Sequence, residues 1–182
     1  MRSSSLACLL WIASVGAAYA VDHPIAGNLI RLEDPPDIAR RLFFFRTVKQ
    51  AQINEATVPD PTVGGATLQV AGSGVGDGDT GILSLPAVNW GKLRNGGYYY
   101  RDHSAANGVS QVRLKPRSSV GGSLHIGGRT ANWPYQVTQP QTDIRLKLTI
   151  GADVYCATFT DLQPNRDGIA LGKKNPPPLS CN

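Results

Sequence analysis

Charge, sulfur and aromatic carbon are all scarce in this chain. Only 17% of its 182 residues are Asp, Glu, Lys or Arg, against about a quarter in ordinary soluble domains. That excludes a charged disordered tail and a coiled coil, which both need dense charge. The three cysteines show no CxxC spacing and no adjacent His, which excludes a zinc ribbon or a thioredoxin-like redox pair. No window carries the 3.6-residue period of a long amphipathic helix. Nor is there an apolar run of membrane-spanning length. The longest, Leu6 to Val15, is half of the about 20 residues a bilayer requires.

Catalytic and cofactor motifs are missing as well. There is no G-x-S-x-G, no P-loop, and no HxH or HxxxH among His23, His103 and His125. Asp102, His103 and Ser104 are contiguous, so on an extended chain they diverge rather than form a relay. The sequence therefore predicts no enzyme and no cofactor.

What is present begins with an address. Arg2, the run Leu6 to Val15 and the small-x-small triplet Ala18-Tyr19-Ala20 form the pattern of a secretory signal. Cys8 has most of the apolar run after it, the wrong order for a lipobox. Residues 1–20 are read as a signal peptide, and residues 21–182 as one mature domain, secreted or periplasmic. Removing Arg2 lowers the formal charge from +5 to +4, too little to argue for a nucleic acid. It also leaves one cysteine pair, Cys156 and Cys181, in an exported chain. A bond between them closes a loop of about 25 residues, worth roughly 3 kcal/mol by chain entropy. It would staple the Pro-rich tail, Pro176-Pro177-Pro178, to the body.

The dominant period of the mature chain is two. Ile144, Leu146, Leu148 and Ile150 alternate with Arg145, Lys147 and Thr149, as in a strand with one wet face. Val112 and Leu114 alternate with Arg113 and Lys115, and Leu124 and Ile126 flank His125. Residues 29–32, 42–48, 66–71, 82–85 and 154–159 also read as strands, with Gly-rich turns between. Asp34-Pro35-Pro36-Asp37 predicts a turn or one 3₁₀ turn. About nine or ten short strands without crossover helices predict an all-β, antiparallel sandwich, with a partly closed barrel as the alternative. Asn89-Trp90 and Asn132-Trp133 raise the question of an internal duplication.

Three further segments carry candidate sites. Tyr98, Tyr100, Trp133 and Tyr135 could offer a stacking platform for sugar rings, although a core this poor in aromatics has use for them too. In a strand Tyr98 and Tyr100 share one face, and Tyr99 takes the other. Asp77 and Asp79, alternating in Gly76-Asp77-Gly78-Asp79, are calcium candidates, but the spacing fails the EF-hand pattern beyond them. Basic residues cluster at Arg40, Arg41, Arg46 and Lys49, and at Arg113, Lys115 and Arg117. The second group, like Arg145 and Lys147, alternates with apolar positions as solvated strand faces do, and an acidic polysaccharide or an anionic membrane surface is the other reading.

Pro61 to Val70, Leu85 to Trp90, Gly97-Tyr98-Tyr99-Tyr100-Arg101-Asp102 and Ala152 to Phe159 together resemble a group of uncharacterised secreted proteins of environmental Gram-negative bacteria. In that group a GYxYxD strand precedes a Lys-containing strand, and a Tyr-Cys strand pairs with a cysteine near the C-terminus. The resemblance implies an exported β fold and no activity. The expectation is thus an exported, non-catalytic structural or surface-associated module, with polysaccharide or a cell-envelope component as partner. Carbohydrate binding by exposed aromatics is the alternative, and a hydrolase without a recognisable site the third.

Overall fold

In the computed structural model, which describes residues 20–181, the chain is almost entirely strand and turn. The expected signal peptide, apart from Ala20, lies outside those residues. The strands run in chain order as β1 (Val21–Pro24), β2 (Gly27–Glu33), β3 (Leu42–Gln50) and β4 (Ala66–Ala71). Next come β5 (Leu83–Leu85), β6 (Trp90–Lys92), β7 (Tyr98–Arg101) and β8 (Gln111–Lys115). The last are β9 (Gly122–Arg129), β10 (Ile144–Ile150), β11 (Asp153–Phe159), β12 (Leu162–Arg166) and β13 (Ile169–Asn175). They form a five-stranded sheet ordered β1-β11-β10-β4-β5 and an eight-stranded sheet ordered β12-β13-β2-β3-β9-β8-β7-β6. Neither sheet closes on itself. The fold is a sandwich, and the barrel alternative is not realised.

Alternation decides which residues face inward. Ile144, Leu146, Leu148 and Ile150 of β10 are buried, and Leu68 and Val70 of β4 lie opposite Leu148 and Leu146 on the same face. β10 and β11 are joined by a tight turn at Gly151-Ala152, with Gly151 at φ 60. From the larger sheet, Ile30, Leu32, Phe43, Phe45, Val112, Leu114, Leu124 and Ile126 meet them. Phe159 of β11 crosses between the sheets and packs edge-on to Phe45, ring centroids 6.2 Å apart. It also covers Gly27 and Gly172, where a Cβ would collide with its ring.

The strand count exceeds the nine or ten expected. The additions are β1, β6, β12 and β13, each short of apolar alternation. β12 carries Pro164, tolerated because the strand is at the sheet edge. β1 departs from the antiparallel expectation, pairing parallel to β11 with Val21 opposite Asp153. A parallel neighbour needs a long connection, and here everything from Ile25 to Ala152 supplies it. The turn after Asp34 is a 3₁₀ helix, Ile38–Arg40, capped by the Asp37 side chain, as expected. The Asn-Trp pairs sit in unlike settings, Trp90 opening β6 and Trp133 in the connection between β9 and β10.

Candidate functional site

The aromatic platform does not exist as a surface. Tyr100, Trp133 and Tyr135 are 1%, 1% and 0% exposed, too little for a sugar ring to reach. Trp133 stacks on Phe43 at 4.3 Å with the rings parallel to within 1°. Tyr100 packs against Trp90, and Tyr135 donates its hydroxyl to Gln141 Oε1 at 2.7 Å. Tyr98 is half-buried against the same core. The two-residue period on β7 holds, and Tyr99 is the ring turned outward, 39% exposed. The requirement to bury rings in an aromatic-poor core outweighs display, and only the partner strands determine which tyrosines go in.

The carboxylates of Asp77 and Asp79 serve the backbone. Asp77 Oδ2 accepts from Gly74 N at 2.8 Å and Thr142 N at 3.0 Å, tying the 72–79 loop to the start of β10. Asp79 Oδ1 accepts from Gly81 N at 2.8 Å. Among the described residues, no three His, Cys, Asp or Glu side chains gather as metal ligands. Asp77→Ala is expected to destabilise by about 1–3 kcal/mol through two orphaned N–H groups. Millimolar calcium added to chelator-treated wild type should leave the melting temperature unmoved. A calcium-dependent rise would restore the cation reading.

The histidines are far from one another in role. His23 lies in β1, stacked on Tyr155 at 4.7 Å, with Nε2 3.2 Å from Asp153. Pairing with β11 holds it there. His103 is exposed in a turn where Ser104 Oγ donates directly to Asp102 at 2.6 Å, with no imidazole between them. Those hydrogen bonds hold the Asp102 carboxyl below its ordinary value. His125 projects from the outer face of β9.

That outer face is where the structure gathers chemistry the sequence left scattered. Strand pairing aligns Lys173, Leu29, Arg46, His125, Arg113 and Tyr99 in one row across six adjacent strands. The next row runs Leu171, Arg31, Phe44, Gly127, Gln111 and Arg101. Gly127 leaves a gap between Phe44 and Gln111. At the far end the Tyr99 ring lies over Gly91. A groove of about 450 Å³ results, lined by Phe44, Tyr99, Arg101, Gln111, Arg113 and His125 among others. Glu33 is the one carboxylate on the strands of this face, and Arg31 takes it. Among the described residues, Arg46, Arg101 and Arg113 join no ion pair. Burial of its ring, then the positive charges of Arg46, Lys115 and Arg113, hold His125 below the usual histidine range.

The alternation of Arg113 with apolar neighbours marks it as an exposed cation, but not that Arg46 stands in the same row two strands away. Arg145 and Lys147, which show the same alternation, belong to the other sheet.

Compared with protein-family models, curated proteins and solved structures, the chain matches none.

The cysteines are joined. Cys156 and Cys181 form a disulfide with Cα atoms 5.4 Å apart, a bond at home in oxidising compartments. No helix among the described residues is long and apolar enough to cross a membrane.

Proposed function

We propose that this protein is an exported, non-catalytic module that associates with the cell envelope through the outer face of its larger sheet. The observation that carries the reading is the row of uncompensated cations on that face. An unpaired arginine on a rigid strand keeps its binding capacity for a partner. Arg101 and Arg113 line one groove and Arg46 stands beside it in the row of His125, so positive potential concentrates there although the whole chain is only mildly basic. The disulfide supports export, as does the resemblance to secreted β proteins. A binding role rather than a catalytic one is supported by the turn at 102–104, where the Ser104 hydroxyl is donated to Asp102 and not to His103. Partner choice then rests on a fixed surface, as expected where sheet residues rather than loops carry the contacts.

Co-sedimentation of the purified protein with washed Gram-negative envelope fragments tests this. The expected result is saturable binding that weakens with salt and is largely lost in Arg46→Glu/Arg113→Glu at unchanged melting temperature. Absence of sedimentation at low salt would overturn the reading.

A further inference from the structure

We infer that the groove across β3, β9, β8 and β7 binds a linear acidic polysaccharide, its uronate carboxylates on Arg46, Arg113 and Arg101 and a sugar ring on Tyr99. The inference rests on the envelope-associated reading and deepens it by naming the partner's chemistry.

Spacing is the first argument. Neighbouring strands lie about 4.8 Å apart, close to the advance of one pyranose residue along an extended glycan. A chain laid across the strands therefore passes Arg46, His125, Arg113 and Tyr99 in step, one position per sugar. The adjacent row, two residues along each strand, is about 6.7 Å away, within reach of side chains projecting from the far side of the same sugar. It brings Gln111 and Arg101, while Gly127, on the other side of Gln111, adds no side chain.

Donor chemistry is the second. Three of the unpaired cations on this face are arginines, whose planar fork grips a carboxylate with two parallel hydrogen bonds. Tyr99 offers a ring with an apolar face and a polar tip, suited to a sugar that is itself apolar on one face. Shape is the third. The apolar side chains here, Phe44 and Leu29, are half-buried among the strands rather than protruding. A bilayer anchor would need large apolar groups that insert, and a concave groove accepts a thin polymer better than a flat membrane.

His125 supplies a pH signature. The groups facing it are Arg46 on β3 and Arg113 and Lys115 on β8, all cationic. A carboxylate brought among them favours the protonated imidazole, so binding takes up a proton. Affinity should rise as pH falls from about 7.5 to about 5.5, where uronates remain ionised.

Calorimetric titration of the purified protein with an oligogalacturonate, a neutral oligoglucan of equal length, and anionic phosphatidylglycerol vesicles decides the matter. The expected result is saturable binding of the oligogalacturonate alone. Arg46→Ala and Arg113→Ala should each weaken it about tenfold, and Arg113→Lys by less, since charge survives and the fork does not. Tyr99→Ala should weaken it several-fold. Arg145→Ala/Lys147→Ala, on the opposite sheet, should leave affinity unchanged. On saturation, the NMR titration midpoint of His125 should move upward. Equal loss from the Arg145/Lys147 variant would expose non-specific charge attraction and overturn the inference. So would vesicle binding without oligogalacturonate binding. If envelope sedimentation persists in either case, the broader reading survives, and if it fails too, both fall.

Discussion

Phe159→Ala is expected to cost about 3–5 kcal/mol and to lower the melting temperature by about 6–20 °C, at 2–4 °C per kcal/mol for a domain of this size. The ring is fully buried and comes from the smaller sheet. Its contacts, Phe45, Gly27 and Gly172, all belong to the larger one. Removing it opens a void that neither sheet can close without shifting against the other. Gly27 and Gly172 provide an independent check. Neither has the positive φ that would forbid a side chain, and the atoms nearest to an added Cβ at both belong to the Phe159 side chain. At Gly172 a Cβ would lie 2.6 Å from that ring. Gly27→Ala should therefore destabilise by about 1–3 kcal/mol through overpacking. Combined with Phe159→Leu it should cost clearly less than the sum of the two single changes. Strict additivity in chemical denaturation would mean that the ring does not wedge the sheets as described.

The same interlocking explains what could be read from sequence. β10 was legible because Ile144 to Ile150 alternates between residues of opposite character, so face and parity come together. β7 gave parity without face, since Tyr98, Tyr99 and Tyr100 are chemically alike. Their orientation follows from β8, where Tyr100 pairs with Val112 and Tyr99 with Arg113, a register set by the irregular 102–110 connection. β13 was hidden for a different reason. Its Lys173-Lys174 pair breaks the alternation, and Lys174 takes a left-handed φ of 53, a local irregularity that no apolar pattern announces. β1 pairs with a strand far away in sequence, and its own residues, Val-Asp-His-Pro, show no preference for either face. The groove was illegible on topological grounds. Arg46 comes from β3 and His125 from β9, and their adjacency is a fact of strand order rather than of spacing. Alternation correctly identified Arg113 and Arg145 as exposed, yet could not tell that they belong to different sheets.

Removing the disulfide, by Cys156→Ala/Cys181→Ala, is expected to cost about 3 kcal/mol, the chain entropy of a loop of this length, and to lower the melting temperature by about 6–12 °C. The two cysteines are 25 residues apart in sequence, and Cys181 reaches the smaller sheet at the end of the tail that leaves the larger one. β13 ends in the larger sheet, and the tail then passes over the edge to reach Cys156 on the outer face of β11 in the smaller one. The bond thus ties one sheet to the other at the edge where the parallel strand β1 docks. Cys181 N also donates to the Asp22 carboxylate of β1 at 3.1 Å, so freeing the tail should loosen that strand as well. Hydrogen exchange should show faster exchange at Val21 to His23 in the double variant, with the β10 amides slowed as before relative to the global opening. Asp22→Asn breaks only the local anchor and should cost no more than about 1 kcal/mol. Both sulfurs are nearly inaccessible, at 3% and 4% residue exposure, so reductant should act on the folded protein slowly and on the denatured protein at once. A double variant that melts with the wild type would show that packing at this edge holds the sheets without the covalent tie.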